Sequence, residues 1–450
     1  FLTAILMLAD SQLYRQFVPG RIDHHNVQIV MAVIAMACAT AARDRARWAI
    51  IGGAAAGLGL AIGLEALPLQ ALIGASYGLA LIGDRRAAGP AAAYGLALAT
   101  VTTALFAVET PPWRWGMGFC DAIAGNLVAG VAVAGAGLAL AAAVSSRAPA
   151  WGRAGLIVGA GLAAGAIYLA LAPQCIHGPF AAMDPAVKPF WFNRIQEVQP
   201  LPRMMVLARP AAIVAAILLA ASVSSALFLA ARQGRSLGVA VRLVAPAVLL
   251  AAVTAWFAWR MQDYVFWIGL PVIGAAASVL AARWLGDRLV LSVAAVLLLA
   301  PSVDGALVEA AVKASAPPPP RLINSGPRCF AAQAYRPLAA LPPGDVLAPQ
   351  DLGPFILAFT GDSAVAAPYH RMSHEILAEH RFWSGTRAAA EAQLRALHPD
   401  YVVDCPPYPI AAGPRSFGAA LRRGQIPAWL RRLSPPKATL QIYQVLPPAT

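Results

Sequence analysis

Apolar residues fall in long blocks along the first two thirds of this 450-residue chain. Ten of these blocks, at about 26–42, 48–64, 67–83, 89–108, 119–144, 154–172, 211–232, 237–258, 264–284 and 288–303, approach the roughly 20 residues that a bilayer-crossing helix needs. Phe1 to Ala9 is apolar from its first residue and reads as the tail of one more span, so part of the protein is expected to precede residue 1. Arginines collect in alternate connections: Arg43, Arg45 and Arg47; Arg85 and Arg86; Arg147 and Arg153; Arg232 and Arg235; Arg283 and Arg288. Such loops stay cytoplasmic. The patch around Asp23, the segment Glu109 to Asp121, the long loop Ala172 to Pro210, the turn Arg260 to Tyr264 and everything after Val303 then face outward.

Beyond Val303 the blocks stop, and Pro317 to Pro320 form a stiff spacer. Short apolar strands are predicted at Asp345 to Ala348, Ala364 to Ala367 and Tyr401 to Asp404. Helical stretches alternate with them around Pro354 to Phe359, Ser373 to Phe382 and Arg387 to Leu397, a spacing that suits βαβ units. The expected fold class is a polytopic α-helical membrane protein, residues 1–303, carrying a C-terminal soluble α/β domain, residues 304–450, on the extracytoplasmic side.

Composition agrees with the pattern: 59% hydrophobic and 12% charged residues, with a mean hydropathy of +0.64, belong to a membrane chain. Much of the net charge of +13 is a topology signal, and no aromatic-interleaved basic face accompanies it, so nucleic acid is not an expected partner. The five cysteines include Cys329 and Cys405 in the outer domain, where an oxidising exterior permits a bridge. Pairing itself is not deducible from sequence, and no zinc-type spacing is present.

Against this apolar background a few polar residues need a reason. Asp23, His24 and His25 stand at the outer end of a span, where a carboxylate and imidazoles are costly unless they meet water, a cation or a charged substrate. Asp23 and His25, two apart, suit one shared divalent cation; carboxylate oxygen favours Mg or Mn, and imidazole tilts the choice toward Mn. Helix capping is the plainer alternative for the histidines. Glu197, in Phe192-Asn193-Arg194-Ile195-Gln196-Glu197, lies on the same side and could complete the shell, or simply pair with Arg194 or Arg203. Arg260 is a guanidinium facing outward, against the usual charge bias, and can grip a lipid phosphate through paired donors or snorkel to ordinary headgroups. Glu65, near the outer end of its span, has no partner identifiable from the sequence. In the outer domain, Asp351 precedes a helix, and Tyr369, His370 and Arg371 follow a strand, where α/β domains place polar ligands.

Gly20-Arg21-Ile22-Asp23-His24-His25 resembles the second outer-loop metal motif of archaeal oligosaccharyltransferase catalytic subunits, which are GT-C glycosyltransferases, and Arg194-Ile195-Gln196-Glu197 resembles their T-I-x-E motif. The order of spans is similar too, with ten after the DHH patch, the long loop after the sixth, and an arginine between the eighth and ninth. The family's W-W-D-Y-G motif is absent, Gln350-Asp351-Leu352-Gly353 keeping only its Asp and Gly with one residue between. The resemblance implies that Asp23, His25 and Glu197 bind a divalent cation, Mn or Mg, with Asp23 and Glu197 catalytic and Arg260 on the phosphate of a polyprenyl-linked sugar donor. His24, Asp351, Tyr369, His370 and Arg371 would contact donor or acceptor. The acceptor would be a protein or glycan, the protein sitting among lipids of the inner (plasma) membrane with its C-terminal domain periplasmic. A lipid-linked sugar flippase, or a mannosyltransferase or aminoarabinose-transferase type of GT-C enzyme, is the competing expectation.

Overall fold

The computed structural model describes residues 3, 5, 7, 15–18, 24–42, 45–232, 238–286, 288–297, 301–315, 326–406, 408, 410 and 413–447. The chain divides into two compact units: Phe1–Ala181 with Ile195–Pro318, and Ala182–Arg194 with Pro319–Thr450.

The first unit is a helical bundle. It opens with α1 (His25–Ala41), α2 (Ala46–Ile62), α3 (Leu67–Gly83), α4 (Ala88–Glu109), α5 (Gly125–Ala143) and α6 (Ala150–Leu171). After the long loop come the short α7 (Leu201–Leu207), α8 (Arg209–Arg232), α9 (Ala245–Phe257), α10 (Gln262–Trp284), α11 (Leu289–Leu297) and α12 (Pro301–Ser315). Six described stretches are long and apolar enough to cross a membrane: Arg85–Glu109, Gly125–Ala143, Ala150–Leu171, Arg209–Arg232, Ala240–Phe257 and Trp259–Trp284. The helices α1, α2 and α3 are equally apolar but only 17 residues each. The protein is thus a multi-pass membrane protein. The tenth expected block is a nine-residue α11, followed by α12, which packs on α8 and carries the first unit past Val303. The proline spacer and most of Phe1 to Ala9 lie outside the described residues.

Small residues let these helices approach closely, the usual means of packing where lipid removes the hydrophobic drive between helices. Gly95 of α4 and Gly135 of α5 face each other so tightly that a Cβ on either would strike the other's carbonyl oxygen. Arg153, counted above among the orienting arginines, is only 5% exposed. Its guanidinium donates to the carbonyls of Leu81 (3.0 Å), Ile82 (2.8 Å) and Ala148 (2.9 Å), closing the otherwise unpaired C-terminal end of α3.

The second unit holds one five-stranded sheet. After α13 (Gly326–Cys329) and α14 (Ala332–Ala339) come β1 (Asp345–Leu347), α15 (Gly353–Phe359), β2 (Ser363–Ala364), α16 (Ser373–Ser384), α17 (Arg387–Leu397), β3 (Tyr401–Asp404), α18 (Phe417–Arg422), β4 (Leu430–Arg432) and β5 (Gln441–Val445). Strand order is β2-β1-β3-β5-β4. The β1 pairings with β2 and β3 are parallel, as the βαβ spacing predicts, and β5 adds to β3 and β4 antiparallel. Period-two alternation builds two cores. Val346, Tyr401, Val403 and Ile442 pack with Tyr335, Leu338 and Ile356 on one face; Leu347, Val402 and Tyr443 pack with Phe382, Trp383 and Phe417 on the other. A disulfide joins Cys329 to Cys405, and a second joins Cys120 to Cys175 in the first unit. Part of the long loop belongs here: the Asp184 backbone N–H donates to Ser373 Oγ (3.0 Å), and Phe190 stacks on His380 with ring centroids 3.7 Å apart.

Candidate functional site

Four stretches of the first unit meet at one end of the bundle. Gln28, fully buried one turn into α1, donates from Nε2 to the carbonyl of Gly63 at 2.7 Å and so locks the start of α1 against the end of α2. That lock brings His25 to Glu65, which sits in the short turn before α3, with Nε2 3.3 Å from Oε1. On the other side the backbone N–H of Trp259 donates to the carbonyl of Gln199 at 2.8 Å, setting the turn Trp259–Met261 beside the turn Gln196–Val198. Trp259 itself is buried with Leu201 and Met204. Arg260 and Glu197 are therefore delivered by neighbouring turns to the same place.

The Arg260 guanidinium is the hub. Its Nη1 lies 2.6 Å from Glu65 Oε1, and its Nη2 lies 2.6 Å from His25 Nε2 and 3.2 Å from Glu197 Oε2. Guanidinium only donates, so His25 Nε2 accepts with its lone pair and that imidazole is the neutral, Nδ1-protonated form. The 3.3 Å approach of Nε2 to Glu65 is then a contact between two acceptors that share the arginine. Burial pushes the Glu65 carboxyl up, and the charge of Arg260, joined by a donated hydrogen bond and charge from the imidazoles only when they are protonated, holds the group below the usual carboxylate range. Arg260, the one permanent charge among them, is the cause that persists when the imidazoles are neutral. The His24 ring stacks on His25 at 4.1 Å. His24, His25 and Glu65 each offer a ligand atom, all within 4.8 Å of one another. Two imidazoles and a carboxylate are donor types that a divalent metal ion accepts.

Of the residues singled out in the sequence, His24, His25, Glu197 and Arg260 come together, and Asp23 lies outside the described residues. Glu65 is the addition: the sequence offered it no partner, and the fold gives it Arg260 and His25. Its signal was its position, at the same end of the bundle as the DHH patch once two helices are counted off.

In the second unit, Asp351 does not cap α15, whose N-terminal side chain bonds are absent at Leu352; its carboxylate accepts from the Tyr408 hydroxyl instead. Burial, then the charge of Asp351, raises the Glu379 carboxyl well above its ordinary value. Tyr369 is exposed, with the Arg371 guanidinium 5.5 Å from its ring centroid and the His370 ring at 4.9 Å.

Fold and site together define a polytopic helical membrane protein with a C-terminal α/β unit and a charged His–Glu–Arg constellation at one end of its helices. That fold is found in a crystal structure of the Archaeoglobus fulgidus oligosaccharyltransferase tethered with an acceptor peptide containing the NVT sequon, with a TM-score of 0.58 and 14% identity over 89% of this chain and 56% of that one. A structure of the same archaeal enzyme in complex with Zn and sulfate gives a TM-score of 0.52 and 13% identity over 90% of this chain and 54% of that one. The chain thus spans little more than half the length of these neighbours, and at such identity the likeness is one of fold. Neither a protein-family profile nor a curated protein sequence matches the chain.

Proposed function

We propose that this protein is a membrane glycosyltransferase that moves a sugar or oligosaccharide from a polyprenyl-phosphate-linked donor to a protein or glycan acceptor on the extracytoplasmic face of the plasma membrane. The observation that supports this most is the meeting of His25, Glu65, Glu197 and Arg260 within hydrogen-bonding reach at one end of an oligosaccharyltransferase-like bundle.

In this reading Asp23, His25 and Glu197 hold a divalent cation, Mn or Mg, with His24 close by. A cation bound there supplies Lewis-acid stabilisation of the departing phosphate. Arg260 presents a planar pair of donors to the lipid phosphate, the geometry that guanidinium matches best. Glu197, half exposed at 54%, turns its free face to the acceptor. Displacement from the side opposite the phosphate inverts the anomeric carbon. Asp351, Tyr369, His370 and Arg371 are assigned to donor or acceptor contacts from the C-terminal unit, which would be periplasmic. The acceptor peptide in the archaeal structure makes a peptide the first acceptor to try.

The test incubates the full-length protein in membranes with labelled polyprenyl-linked sugars and Mn or Mg, comparing wild type with Asp23→Ala and Glu197→Ala. Transfer by wild type, lost or cut by about 10²-fold or more in both variants, is the expected result. Equal transfer by all three overturns the proposed mechanism.

A further inference from the structure

The Arg260 guanidinium holds two of the residues that a cation would use. Its Nη2 takes the His25 Nε2 lone pair at 2.6 Å and its Nη1 takes Glu65 Oε1 at 2.6 Å. The same two residues, with His24, form the described cluster in which each offers a ligand atom within 4.8 Å of the others. A lone pair serves one acceptor role at a time, and two positive charges at one carboxylate repel each other. The arginine is also imperfectly held, because its Nε is buried and meets no acceptor among the described residues. An unsatisfied buried donor costs free energy, which lowers the cost of leaving.

We infer that Glu65 and His25 are contested ligands, holding either the Arg260 guanidinium or a divalent cation, so that cation entry releases Arg260 toward a phosphate. This rests on the cation reading proposed above and adds Glu65 and His24 to the residues that serve it. Glu65 is then a cation ligand in one state and the positioning residue for Arg260 in the other. Two ligands that exclude each other from one site are linked reciprocally: whatever draws the guanidinium away tightens the cation, and the reverse. A polyprenyl phosphate bound to Arg260 would thus prepare the site for its metal.

The experiment measures free Mn(II) by electron paramagnetic resonance in titrations of the full-length protein in detergent, with no donor lipid. Arg260→Ala is expected to bind Mn(II) about tenfold more tightly than wild type. Methylguanidinium added to Arg260→Ala refills the vacated position and weakens binding again, whereas tetramethylammonium at equal ionic strength does not. Glu65→Gln binds most weakly and ignores methylguanidinium. Arg260→Met repeats the series should the alanine variant fail to fold. Equal affinity in wild type and in the arginine variants, with Mn(II) bound in all, overturns the contest while leaving the cation reading intact. No Mn(II) binding in any of them, wild type included, overturns the cation reading and this inference with it.

Discussion

Glu65 and Glu379 are the same side chain in two unlike settings. Glu65 lies at the end of the helical bundle, 21% exposed, facing a guanidinium at 2.6 Å; its carboxyl is held below its ordinary range against the upward push of burial. Glu379 lies within the α/β unit, 6% exposed, where burial and the nearby charge of Asp351 drive its carboxyl far upward. Desolvation acts on both, and the presence of a permanent cation decides the outcome. An ionised carboxylate facing a guanidinium is the kind of group for which another cation can compete. Burial without a cation instead favours the protonated form of Glu379.

The largest effect expected from this contrast is at a third carboxylate. Asp404, 1% exposed, receives two 2.7 Å bonds from Arg422, whose Nη2 also donates to the carbonyl of Tyr408 at 2.8 Å. Arg422→Met removes that cation and leaves the carboxylate in Glu379-like surroundings. Breaking a buried pair by deleting one partner costs about 3–5 kcal/mol. Thermal unfolding followed by tryptophan fluorescence should show a midpoint lowered by the amount that this loss of stability implies; a shift equivalent to less than about 1 kcal/mol would mean that a cation is not what permits a buried carboxylate here.

Glu65→Gln tests the other side. It keeps the shape and removes the charge that holds Arg260 and offers a ligand oxygen. Sugar transfer should fall by about 10²-fold, the scale of losing one preorganised electrostatic contact, while stability read from thermal unfolding changes by no more than about 1 kcal/mol, as for a partly exposed pair. A large loss of stability with transfer intact would make Glu65 a structural residue and erase its difference from Glu379.

How much of this was readable in the sequence depends on the range of the forces involved. The helices are set by blocks of apolar residues: six of the predicted blocks meet described stretches long and apolar enough to cross a membrane, and three more meet apolar helices of 17 residues. Strands β1 and β3 follow from short apolar runs and β2 overlaps its run only at Ala364, whereas the edge strand β4 and the inner strand β5 were missed because Leu430–Arg432 and Gln441–Val445 mix polar residues into short runs. His25 and Arg260 stood out as polar residues at apolar boundaries, and Glu197 as an acid of the long loop on the same side. Their partnership with Glu65 did not, since it depends on Gln28 locking two helix ends together and on two turns meeting through Trp259 and Gln199. Arg153 shows the opposite error: counted as a loop charge, it is a buried cap, because a guanidinium can satisfy several carbonyls at once and sequence gives no hint of their approach.

The smallest effect expected is also the one that separates the two glutamates most cleanly. Burial first, then Asp351, raises Glu379, and the groups facing it from its neighbours are Asp351 and Tyr408. An acid raised in the folded state binds more protons there than in the unfolded chain. Its stabilising contribution is therefore complete below the ordinary glutamate value of about 4.3 and declines as pH rises from there toward the raised value, by at most about 1.4 kcal/mol per pH unit for one proton. Glu379→Gln keeps a neutral side chain of the same shape and removes the titration. Midpoints measured from pH 4.5 upward should fall with pH in the wild type and run flatter in the variant, with the two curves closest at the acid end. Parallel curves would show that Glu379 is ionised in the folded protein, and the contrast with Glu65 would then rest on charge partners too distant to see in its immediate surroundings.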